Sequence, residues 1–118
     1  VKVGDEYVKP TPAAAAAVLE ASSRLPEAGK FDFAVEIARN TTQAGTYPIV
    51  LVSYELACTS YPDPATAAVT KDFLDYVISV EGQQSAAQLA GNAPISGAQR
   101  ERFQQAVDAI TVASSEQG

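Results

Sequence analysis

Few of the residues that usually carry enzyme chemistry occur in this chain. It contains no histidine and one cysteine, Cys58, which excludes Ser-His-Asp and Cys-His arrangements as well as cysteine-rich metal sites. The carboxylates that lie near one another in sequence are Asp5, Glu6, Asp72, Asp75 and Glu81. Their spacing singles out no acid–base pair. We therefore predict no catalytic residue, no metal ligand and no cofactor, and a protein that is not an enzyme.

The usual glycine-rich phosphate cradles are also missing. Neither G-x-x-x-x-G-K-[ST] nor G-x-G-x-x-G occurs, because the glycines lie singly at turns and helix ends. Cys58 follows an apolar run and is expected to act as a small apolar residue rather than as a nucleophile. The tyrosines Tyr47, Tyr54 and Tyr61 are expected at the rim of a sheet rather than as a ligand platform. The residues alone predict no ligand site.

Charge and hydropathy narrow the class of protein. The formal net charge is −6 with no basic stripe, which argues against nucleic-acid binding. Apolar runs such as 48–52 are far shorter than the ~20 residues that cross a bilayer. The chain begins with Val1 and shows no targeting segment, so a signal is expected to be absent or removed. Cys58 is the only cysteine, so it has no disulfide partner within this segment. It could instead pair with a residue outside the segment.

The first part of the chain predicts short strands and one helix. Residues 1–9 alternate around Gly4-Asp5, which indicates a strand, a tight turn and a second strand. Thr11-Pro12 is a typical helix start, and that helix is expected to end before Pro26. Residues 27–46 fit either a short strand or a helical face, and both alternatives stay open. Asn40-Thr41-Thr42 matches a glycosylation triplet, which arises often by chance.

The most definite strand prediction covers residues 47–58. Its continuous run of β-branched and aliphatic residues predicts a strand buried on both faces, as in the sheet of an α/β protein. Such a strand needs strand neighbours at its edges, and this chain offers few.

Three helices are predicted after this strand. The first begins at Asp63-Pro64 and continues to about Val80, the second covers 83–90 and closes at Gly91, and the third begins with a capping box. The residues predicted to form buried stripes are Val69, Phe73 and Val77 in the first helix and Phe103, Val107 and Ile110 in the third; the capping box is Ser96 with Gln99. One strand is too few to form the sheet that three helices would cover. We therefore expect a piece of a larger α/β protein.

Three stretches, in this order and spacing, resemble the last part of one protein family: GDEYVKPTPAAAAAVLEA, YPIVLVSYELACTSYPD and VTKDFLDYVISVEGQQSAAQLAGNAPIS. The family is that of the phosphate-binding proteins of the Pst phosphate ABC transporter, particularly the actinobacterial ones. The resemblance extends over essentially the whole chain.

The resemblance implies a partial periplasmic-binding-protein type II-like fold. Residues 1–46 would form a segment of the second lobe, and 47–118 would supply the hinge-crossing strand and the C-terminal helices of the first lobe. It also implies an extracytoplasmic protein, periplasmic or a cell-surface lipoprotein, whose partners are inorganic phosphate and the transporter permease. The family's phosphate ligands lie N-terminal to this part and no position here matches them, so the arginines are not assigned as ligands: Arg24, Arg39, Arg100 and Arg102.

One alternative is a freestanding structural or interaction module that reuses this fold without binding a ligand. Its partner would be a second copy, whereas the parent protein would supply its own N-terminal part. A fragment should expose the flank of 49–52 unless other residues cover it, and a true module should bury that flank.

Overall fold

The structure, a computed structural model, describes residues 1–114. These residues contain four helices and six strands of two residues each. The helices are α1 (Pro12–Glu20), α2 (Pro64–Ile78), α3 (Val80–Ala90) and α4 (Gly97–Asp108). The strands are β1 (Lys2–Val3), β2 (Glu6–Tyr7), β3 (Ser23–Arg24), β4 (Val35–Glu36), β5 (Ser60–Tyr61) and β6 (Thr111–Val112). The predicted α/β class, the early short strands and the three later helices are confirmed.

The strands form three separate pairs instead of one sheet. The β1–β2 and β3–β4 pairs are antiparallel, and the β5–β6 pair is parallel. The chain divides into two compact units. One comprises Val1–Tyr54 with Ala86–Pro94, and the other comprises Glu55–Ser85 with residues 95–114.

The first unit is built around α1 and the β1–β2 hairpin. Gly4 turns the hairpin with a φ of 58°, a value that side chains rarely tolerate. Thr11 caps α1 by accepting a hydrogen bond from the N–H of Ala14 at 3.2 Å. The side chains of Val18 and Thr46 are completely buried. This small core therefore depends on one helix and the turn that precedes residue 47.

Residues 27–46 adopt neither predicted alternative in full. β4 pairs with β3, and the loop between them is closed by the guanidinium of Arg24, which donates to the carbonyls of Gly29 and Asp32. The same group lies 5.6 Å from the ring centroid of Phe33. The apolar alternation of residues 31–37 thus produces only a two-residue strand.

The prediction of a buried strand over residues 47–58 is wrong for this structure. The backbone runs there without helix, turn, bend or strand pairing. The side chains of Leu51 and Leu56 are 98% and 93% exposed. The physical reason is that the described part of the chain supplies no neighbouring strand, and strand character cannot be satisfied by local hydrogen bonds.

The second unit consists mainly of α2 and α4. The two helices pack against each other, and Arg100 on α4 donates to the carbonyl of Ile78 at 2.7 Å. The predicted capping box is present, with Ser96 and Gln99 bonded reciprocally. The buried apolar residues of this unit are Ala67, Ile78, Val107 and Ile110, and Phe103 is half-buried.

The predicted buried stripe on α2 is wrong. Val69 and Phe73 are 69% and 56% exposed, and only Val77 of the three is half-buried. The helix instead turns its Ala67 and Ile78 side inward. The amphipathic pattern located the helix correctly but did not tell which part of its apolar surface α4 covers. No helix in residues 1–114 is both long and apolar enough to span a membrane.

The junction between α2 and α3 depends on a glycine. α3 begins at Val80, three residues earlier than predicted, and the Oγ of Ser79 accepts from the N–H of Gly82 at 2.9 Å. A Cβ at position 82 would lie 2.0 Å from the carbonyl oxygen of Tyr76. This contact leaves no room for any side chain.

We expect Gly82→Ala to lower the free energy of unfolding by about 1–3 kcal/mol, because the new methyl group must displace backbone. Gly97→Ala is the matched control, since a Cβ there meets nothing within 4 Å. The control should leave stability unchanged or raise it by up to about 1 kcal/mol. Urea denaturation followed by circular dichroism measures both, and equal stability of the two variants would contradict the close contact.

Candidate functional site

Three arginines that sequence reasoning left unassigned are bonded to the protein's own backbone. Arg24 and Arg100 donate to loop and helix-end carbonyls, as described above. Arg39 donates to the carbonyl of Pro48 at 3.1 Å and makes a longer contact of 3.5 Å with that of Val50. Arg102 lies exposed on α4. At three of these four positions, guanidinium groups that would suit an anion therefore donate to backbone carbonyl oxygens instead.

The segment that Arg39 touches is the most unusual surface of the molecule. We call residues 47–58 the apolar segment. Each end of the segment makes one hydrogen bond. The N–H of Tyr47 donates to the carbonyl of Ala14 at 2.9 Å, and the N–H of Cys58 donates to the hydroxyl of Tyr61 at 2.9 Å. Between these anchors, residues 48–57 make no backbone–backbone hydrogen bond within residues 1–114.

The tyrosines and Cys58 fall on or beside this segment. Tyr54 reaches back through its hydroxyl, which accepts from the N–H of Val35 at 3.2 Å. Cys58 is exposed and free rather than apolar filling, so that expectation is wrong. The hydroxyls of Tyr54 and Tyr61 each accept from a backbone N–H, so these two side chains act as local structural anchors.

A shallow depression of about 350 Å³ lies beside the start of α1. It is lined by Glu6, Tyr7, Lys9, Thr11 and Gly45, among others. The lining contains one lysine and one carboxylate, and the N–H of Ala14 is already bonded to the Oγ1 of Thr11. The lining offers no convergent set of anion donors.

The start of α2 is occupied by a carboxylate. Asp63 accepts from the hydroxyl of Thr66 at 2.8 Å and from the N–H groups of Thr66 and Ala65 at 3.1 and 3.4 Å. These bonds, the hydroxyl's first, lower the pKa of Asp63 below its ordinary value of 3.8. A second depression, about 290 Å³, opens beside these residues. A negative charge thus stands where an anion would meet the helix amides.

The acidic residues do not assemble into a site. Asp75 accepts from the side-chain amide of Gln104 at 2.7 Å, which links α2 to α4. Asp5, Glu6, Asp72 and Glu81 are exposed. Within residues 1–114, no group of three or more acidic, histidine or cysteine side chains is placed to hold a metal ion.

Sequence reasoning missed the carbonyl-binding role of the arginines. Arg39 lies in a polar stretch nine residues before Pro48, and no pattern in the sequence pairs the two. The exposure of the apolar segment, in contrast, is what the sequence analysis expects of a fragment. Its signal was a strand-like sequence without neighbours.

Comparison with curated proteins identifies relatives in mycobacteria. The chain is 37% identical over 70 residues to phosphate-binding protein PstS2 of Mycobacterium bovis (strain BCG / Pasteur 1173P2) and to phosphate-binding protein PstS 2 of Mycobacterium tuberculosis (strain ATCC 25618 / H37Rv). It is 38% identical over 68 residues to phosphate-binding protein PstS 3 of Mycobacterium leprae (strain TN). The chain is homologous to a portion of PstS. This confirms the family resemblance.

The extent of these matches is limited on both sides. They cover 59% and 58% of this chain, and the chain spans about 18% of the length of the curated relatives it matches. No protein-family model matches, and no solved structure matches. The similarity therefore concerns a portion of PstS.

The lowered pKa of Asp63 predicts a loss of stability in acid. A carboxyl whose pKa is lower in the folded chain stabilises the fold fully above its unfolded value, and this stabilisation is lost as the pH falls through the folded value. We expect α2 to weaken as the pH drops below about 3.8. Asp63→Ser should keep a helix cap, but its stabilisation should no longer depend on acid. Asp63→Ala should lose the cap and the acid dependence together. Urea midpoints at about pH 5 and about pH 3 measure the difference; equal acid sensitivity of Asp63→Ser and the unmodified chain would contradict it.

Proposed function

We propose that this chain is part of an extracytoplasmic phosphate-binding protein that captures inorganic phosphate for uptake by an ABC transporter. The observation that carries the proposal is the homology to a portion of PstS. In this role the protein binds and delivers phosphate to a membrane permease and catalyses no reaction. The phosphate ligands lie outside the 118 residues.

The contacts of the described residues support a ligand site located elsewhere. Three guanidinium groups bond to backbone carbonyls. In the first turn of α1, α2 and α4, the amides of Ala14, Thr66 and Gln99 bond to the capping side chains. Recognition of a desolvated phosphate needs several convergent donors. These particular donors already bond within the chain.

The proposed receptor has the two-lobed periplasmic-binding-protein type II architecture. Residues 1–46 belong to its second lobe, and 47–118 supply a strand that returns to the first lobe with the helices that follow it. The exposed apolar segment supports this assignment, because strand-like sequence with unpaired peptide groups needs neighbouring strands. The parent is located outside the cytoplasm, in the periplasm or as a lipoprotein on the cell surface.

The decisive experiment measures the protein as its source cells make it. An antibody raised against this chain isolates the protein, and intact mass is measured before phosphate is titrated in a calorimeter. We expect a mass well above 12.3 kDa together with phosphate binding. We expect the 118-residue chain alone to give no heat with phosphate.

Two results would overturn the proposal. A native mass of 12.3 kDa without phosphate binding would indicate the freestanding module instead. Saturable phosphate binding by the 118-residue chain would show that the ligands lie within it. Titration with sulfate of equal concentration is the control for nonspecific anion binding.

A further inference from the structure

We draw no further inference here: the strongest candidate, the exposed apolar segment of residues 47–58, carries no proposal because nothing in the structure shows what covers it.

Discussion

The rest of this structure depends on the need of backbone N–H and C=O groups to find hydrogen-bond partners. Helices satisfy this requirement within their own turns, and the described chain forms α1, α2, α3 and α4 with capped or glycine-adapted ends. A strand can satisfy it only through another strand. Residues 47–58 have strand-like sequence but no partner in the described chain, and they consequently run exposed and unpaired. The strand pairs that do form are only two residues long.

The same need for hydrogen-bond partners explains why three arginines of residues 1–114 do not converge on an anion site. Arg24, Arg39 and Arg100 all donate to carbonyl groups that regular structure leaves free. A guanidinium has five donors in a fixed fork, so a partly occupied one can still bind other groups. What is missing is convergence, because these arginines contact three different stretches of backbone. The chain uses its cations to stabilise loops and a helix end.

Sequence reasoning succeeded where the determining interactions are local. The Thr11, Asp63 and Ser96 caps and the turn at Gly4 depend on neighbours within a few residues, and all were foreseen. It failed where distant residues decide. The burial of residues 47–58 required strands from elsewhere, and the exposure of Val69 and Phe73 depends on which side of α2 meets α4. The contact between Arg39 and Pro48 leaves no periodic signal, so the sequence did not predict it.

The errors of the sequence-based prediction are informative because they share a direction. Both failures placed apolar side chains in a core, and the structure places them in solvent. If the errors had no common cause, some polar residues expected at the surface would be buried as well. The buried polar residues in the described chain are Thr46 and Gln99, and both make local hydrogen bonds at a turn or a cap. The exposed apolar side chains of residues 47–58 and of one face of α2 support the proposal that further protein covers them. The homology to a portion of PstS supports the same proposal on independent grounds, since the chain spans about 18% of the length of the relatives it matches.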